Sequence, residues 1–196
     1  MATNILPEAI RNAIKHGRDA YDYILNDSSS VRHYQVEIDC DSLPEPIRKK
    51  GEIQGGLEFF WAQLPTKAEE IDKKACLYYF EIVGLDAKTI LSSYKSFMED
   101  PNLLERNRHA LKKSPPENTT ILYVGKVKAG IGGRMMVHLG YYHVGATAGL
   151  QLVSWAKGLG LKLRLHVYAF NGGMRDFVDP LELPLARLLN PLIGKH

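Results

Sequence analysis

The chain has 196 residues, 45% of them hydrophobic and 24% charged, which supplies apolar side chains for a sizeable core and excludes global disorder. Cys40 and Cys76 are the only cysteines, so a disulfide framework and an all-cysteine zinc site are excluded. The net charge of +3 is unevenly spread: residues 1–75 carry ten Lys/Arg against thirteen Asp/Glu, and residues 76–196 carry fifteen against nine. The basic part includes Lys112, Lys113, Lys126, Lys128, Arg134, Lys157, Lys162 and Arg164. Such a surface suits a polyanionic partner, because each neutralised phosphate releases counterions, although a merely solvated lysine-rich face has the same composition. No apolar run reaches the roughly 18 residues that span a bilayer. The first ten residues, with Pro7 and Glu8, lack a basic-then-apolar signal pattern, so a cytoplasmic protein with no membrane partner is expected.

In chain order, Ile10, Ala13, Ile14, Tyr21 and Ile24–Leu25 recur at helical spacing and predict a helix from about Leu6 to Leu25, capped by Thr3 or Asn4. Tyr34, Val36 and Ile38 alternate with polar residues and predict a strand exposed on one face. Residues 43–56 hold Pro44, Pro46, Gly51, Gly55 and Gly56 and read as loop; Phe59–Phe60–Trp61 reads as core. Cys76–Val83 is apolar, aromatic and β-prone. Helices follow over Thr89–Asp100 and Asn102–Lys113, then a Pro-rich loop, a strand over Thr119–Val127, and helices over Ile131–Leu139 and Ala146–Gly158. Leu161–Phe170 alternates as a strand, and Asp179–Pro180 opens a last helix ending before Pro191. The other histidines (His16, His33, His109, His143, His166, His196) have no metal-ligand spacing and read as structural, and Trp155 and Met135–Met136 as core.

The stretch Tyr123–Val124–Gly125–Lys126, followed by Gly130–Ile–Gly–Gly133 and Arg134-x-x-x-His138, is the one that carries chemistry. A P-loop is excluded, because Val127 stands where Ser or Thr must follow the Lys and Thr120 where the first Gly must stand. The dinucleotide pattern fails at Met135, where its third glycine is needed. The ordered set of a strand tyrosine in Cys76–Leu77–Tyr78, then Tyr-Val-Gly-Lys, Arg-x-x-x-His, a further strand, Glu182 and Pro191 nine residues on resembles the GIY-YIG nuclease superfamily. The resemblance covers residues 75–196, with Cys76 in place of the family's first Gly and Tyr79 competing with Tyr78 for the first tyrosine. It implies an α/β (α+β) fold with a small, mainly antiparallel sheet of three main strands flanked by helices. Residues 1–74 would form an N-terminal extension, and residues 85–118 a helical insertion between the first two sheet strands.

The resemblance further implies a metal-dependent DNA endonuclease using Mg²⁺ or Mn²⁺. A catalytically inactive nucleic-acid-binding module of the same fold and a globular interaction domain are the alternatives. In the nuclease reading Glu182 holds the metal, since Mg²⁺ keeps most of its waters and needs as few as one carboxylate. Arg134 grips phosphate oxygens through its fork of donors, with His138 one turn along the same helix face. Tyr78 and Tyr123 form a phenol network that includes the general base, and Lys126 stabilises the phenolate. Lys128 and, on the insertion, Lys95, Arg106, Arg108, His109, Lys112 and Lys113 are expected to meet DNA, because sequence is read by groups beyond the phosphate chemistry.

Overall fold

The computed structural model describes residues 8–45, 58, 61–62, 68–103, 108–142 and 147–194. Among these lie helices α1 (Glu8–Asn26), α2 (Ala68–Asp72), α3 (Ala87–Glu99), α4 (Ile131–Leu139) and α5 (Asp179–Leu189). The strands are β1 (Val31–Asp39), β2 (Cys76–Val83), β3 (Ile121–Val127) and β4 (Lys162–Phe170). They form one antiparallel sheet in the order β1-β4-β2-β3.

The sheet therefore has four strands rather than three. The alternating Tyr34, Val36 and Ile38 do form a strand, and it joins the sheet by pairing with β4 from Val31 opposite Phe170 to Asp39 opposite Lys162. Its buried residues belong to the main core together with Tyr78, Phe80, Leu163 and Leu165. Thus the sheet draws on residues from both sides of the 74/75 boundary.

Strand period two sends successive side chains to opposite faces, and each face has its own cover. On the first face, Cys76, Tyr78, Phe80 and Ile82 of β2 pack with Ile90, Tyr94 and Phe97 of α3, Ile131 and Met135 of α4, and Trp155. On the second face, Leu77, Phe170 and Val178 meet Ala20, Tyr21 and Ile24 of α1, while Val124 meets Ala186 of α5. Tyr79 also lies there, stacked on His166 with ring centres 4.5 Å apart.

Among the described residues two expected helices are not seen. Asn102–Lys113 yields only a 3₁₀ turn at Pro101–Leu103; residues 104–107, and with them Arg106, lie outside the described residues. Beyond them the chain is irregular, with single bridges from Arg108 to Gly149 and from Leu111 to Ile193. The Tyr94 hydroxyl donates to the carbonyl of His109 at 2.7 Å, and Gly194 N–H donates to that of Ala110, so these carbonyls are engaged from other parts of the chain. In the expected Ala146–Gly158 helix, Gln151 holds φ 57° and Gly158 φ 82°, leaving a 3₁₀ turn over Leu152–Ser154. Of the aromatic group near residue 60, Trp61 packs against the core and Phe59–Phe60 lie outside the described residues.

If β1 is integral to the fold, Ile38→Ala, which removes a 2% exposed core side chain, lowers global stability by about 2–5 kcal/mol in denaturant unfolding. A separable extension would leave the main transition where it was.

Candidate active site

Tyr78 of β2 stands opposite Gly125 of β3, and Phe80 stands opposite Tyr123. Tyr78 and Tyr123 thus share the first face on adjacent strands, with ring centres 6.3 Å apart. Gly125 is required by its neighbours: a Cβ there would lie 2.5 Å from the Tyr78 hydroxyl oxygen and 2.8 Å from Cε1 of Tyr123. The glycine of Tyr-Val-Gly is the gap through which the Tyr78 phenol crosses β3. The ladder slips register at Phe80/Glu81, a bulge immediately beside the Tyr123 pairing.

Helix α4 brings in Arg134 and His138. Its N-terminus is fixed from α2, where the carbonyl of Asp72 accepts from Gly130 N–H at 2.6 Å and its side chain accepts from Gly132 N–H at 2.8 Å. Gly130, at φ 78°, makes the turn into the helix. Arg134 Nε donates to the Tyr78 hydroxyl at 2.8 Å and Nη1 to the carbonyl of Ala148 at 2.7 Å. Its Nη2 makes longer contacts, 3.3 Å to the Tyr123 hydroxyl and 3.4 Å to Nε2 of His109. His138 is wholly buried. Its Nδ1 accepts the backbone N–H of Leu150 at 3.3 Å, which assigns the ring proton to Nε2, and Nε2 donates to the Tyr78 oxygen at 2.9 Å.

Burial sets the electrostatics of the cluster. It pushes the Tyr78 phenol well above the ordinary tyrosine value and raises that of Tyr123, while the Arg134 cation pulls both back down. Burial, with help from Arg134 and His109, pushes His138 far below the ordinary histidine value, so its imidazole is neutral. The carboxylate of Glu182, in the first turn of α5, adds to the upward shift of both phenols, so its charge acts on the same cluster. Tyr78, Tyr123, Arg134 and His138 are thereby brought together, and the Glu182 charge acts on both phenols. Of the two adjacent tyrosines only Tyr78 faces this cluster, because strand parity turns Tyr79 to the opposite side.

Lys126 is not beside the phenols. One residue past Gly125, it points to the second face, where its Nζ donates to Asp179 Oδ1 at 2.5 Å. Lys128 pairs with the other oxygen of the same carboxylate at 3.2 Å. These bonds, that from Lys126 foremost, hold the Asp179 carboxyl below its usual range. Their structural effect is to tie the start of α5 to β3, one turn before Glu182. Arg108 also turns inward: Nη1 donates to the carbonyl of Phe97 at 2.6 Å, and its guanidinium lies 5.2 Å from the centre of that ring. It braces the insertion instead of reaching outward as a base-reading arm.

His109 belongs to the cluster, and no sequence pattern places it there: the sequence offers it only as a structural or DNA-facing histidine. Its ring centre is 4.3 Å from that of Tyr123 and 5.6 Å from that of His138. Asp72 and Asp179 were equally silent, since the partners they hold are distant in sequence. Among the described residues no group of three or more His, Cys, Asp or Glu side chains is arranged to hold a metal ion. A single carboxylate with phosphate oxygens and water completing the shell is a normal Mg²⁺ donor set.

Gly125→Ala is expected to cost about 1–3 kcal/mol in unfolding experiments, because Tyr78 is pinned by two hydrogen bonds and cannot give way. The neutral His138 predicts a pH effect. Its folded value is depressed, so its stabilising contribution is present above the ordinary histidine value of about 6.5 and is lost as pH falls below it. The melting temperature should therefore drop from about pH 7 to pH 5, and His138→Gln should flatten that slope.

No family model matches the chain, and neither any curated protein nor any solved structure matches it.

Proposed function

We propose that the chain is a metal-dependent endonuclease of the GIY-YIG type that hydrolyses DNA phosphodiester bonds. The observation that carries this reading is the convergence of Tyr78, Tyr123, Arg134 and His138 on one buried hydrogen-bonded cluster within reach of the Glu182 charge. These residues span more than half of the chain, and sheet pairing and helix packing bring them together.

The Arg134 fork suits phosphate. Nε and Nη1 make short bonds that fix the guanidinium plane, and the two contacts of Nη2 are long enough to be exchanged for an anionic oxygen. The Tyr123 hydroxyl lies beside that donor and adds a second polar contact. Glu182 would hold Mg²⁺, and the ion when bound neutralises charge on the phosphate and leaving oxygen. Lys126 and Lys128 keep Glu182 in place through Asp179.

One observation favours the second reading, a nucleic-acid-binding module without catalysis: both phenols are buried and held protonated, which removes them as bases near neutral pH. Binding with a steep salt dependence and no strand cleavage would support that alternative.

Plasmid nicking with and without Mg²⁺ separates the two. Glu182→Gln should abolish metal-dependent nicking at unchanged melting temperature, whereas retained activity within about tenfold of wild type would overturn its assignment. Arg134→Lys keeps the charge but loses the fork and should lose about 10²–10³-fold in turnover. Arg175→Ala and Lys157→Ala, at generic basic positions, should stay within about tenfold. Equal losses at all three positions would reduce Arg134 to part of an electrostatic footprint.

A further inference from the structure

The two edges of the sheet are built differently. β3 forms one edge, and Leu192 and Ile193 donate to its Ile121 and Leu122 carbonyls. β1 forms the other, and among the described residues no backbone group pairs with its outer side. It runs for nine residues, holds neither proline nor lysine, and lies opposite β4 without a register shift. Lysine, proline, a bulge or a short strand are the usual means of keeping such an edge from pairing with another chain, and β1 uses none of them. Its charged residues, Arg32, Glu37 and Asp39, are of both signs.

The ladder fixes which backbone groups face outward. In the register that sets Val31 opposite Phe170, the Ser30 carbonyl accepts from Asn171 N–H at 2.6 Å at one end. At the other end Cys40 N–H donates to the Leu161 carbonyl at 3.0 Å. Bonded pairs alternate along an antiparallel ladder, so the even-numbered residues of β1 are the ones bonded to β4. The N–H and C=O groups of Val31, His33, Gln35, Glu37 and Asp39 therefore point away from the sheet. The side chains of these five lie on the second face, where His33 stacks on Tyr168 and Glu37 accepts from Arg164.

We propose that this edge is an interaction surface for a second copy of the chain, whose β1 pairs with it antiparallel about a twofold axis at Gln35. The two four-stranded sheets then join into one. That axis sets Val31 opposite Asp39, His33 opposite Glu37 and Gln35 opposite its own copy, so the whole strand is paired. Odd positions face odd positions, and each outward N–H meets an outward C=O. On the other face Arg32 stands opposite Ile38 and Tyr34 opposite Val36, so no like charges are opposed. An axis at Glu37 would set that carboxylate against its own copy and carry Val31 and His33 past the end of the strand. Directly opposed residues share a face, so both first faces, each with its Arg134 cluster, lie on one side of the joined sheet. The pairing stands on backbone geometry and charge and does not depend on the nuclease reading.

Sedimentation equilibrium of the full chain between about 1 and 200 μM should show a monomer–dimer equilibrium, and a chain that stays monomeric throughout overturns the proposal. Gln35→Pro removes an outward N–H without touching the β4 ladder, so it should weaken association about tenfold or more with an unchanged circular dichroism spectrum. Undiminished association of that variant overturns the proposal. Gln35→Cys puts two thiols at an opposed pair with Cα atoms about 5.5 Å apart, within the span of a disulfide, and mild oxidation should give a covalent dimer. The thiols of Glu37→Cys would stand about 14 Å apart and should stay unlinked. The native Cys40 and Cys76 are buried and do not compete. No cross-link at Gln35→Cys, or equal cross-linking at both positions, overturns the pairing about Gln35. If Gln35→Pro does not fold, the wild-type equilibrium and the two cysteine variants decide.

Discussion

The arrangement depends on the need to satisfy a guanidinium taken largely out of water. Removing such a cation from solvent costs on the order of several kcal/mol unless its N–H groups find acceptors. Arg134 finds them on four separate parts of the chain: the Tyr78 hydroxyl on β2, the Tyr123 hydroxyl on β3, the Ala148 carbonyl after α4, and His109 in the insertion. Each acceptor needs its own support. Gly125 makes room for Tyr78, His138 holds the Tyr78 oxygen from the other side, and Tyr94 anchors the His109 segment. The site and the packing of the first sheet face are therefore one structure, and a cluster assembled this way resists loosening one member at a time.

The sheet acts as a partition. Because side chains alternate, Tyr123 and Gly125 look toward α3 and α4 while Val124 and Lys126 look toward α5. β3 is an edge strand, and the chain after α5 runs along it, with Leu192 and Ile193 donating to the carbonyls of Ile121 and Leu122. This covers an edge that would otherwise present unpaired backbone groups. It also carries the chain from the second face round to the core of the first, where Leu192 and Ile193 are buried.

The insertion changes meaning in this light. Arg108 spends its guanidinium on the Phe97 carbonyl and ring, and the segment is pinned against residue 149 and the C-terminal strand-like residues. Its contribution to the candidate site is an imidazole placed by tertiary contacts. Helix α3 packs into the core, and its Tyr94 hydroxyl holds the His109 carbonyl.

The sequence by itself determined most of the elements: the strands over Cys76–Val83 and Leu161–Phe170, the α4 helix, the last helix opening at Asp179, and the strand around Tyr34–Ile38. These are written in local periodicity, in β-prone composition as at Cys76–Val83, or in a helix-start signal as at Asp179–Pro180, all of which depend only on near neighbours. The spacing of Arg134 and His138 was legible for the same reason, since four residues is one helical turn. What the tertiary structure alone decided is which face each residue serves and which distant groups meet. Strand pairing chose Tyr78 over Tyr79 and sent Lys126 to Asp179, because the register across β2 and β3 fixes side-chain direction and no local pattern encodes register. The fourth strand became part of the sheet through pairing with β4, more than a hundred residues away. The 108–113 stretch, whose composition reads as helix, is held irregular by hydrogen bonds from Tyr94 and Gly194, and that non-local competition is what carries His109 to the phenols.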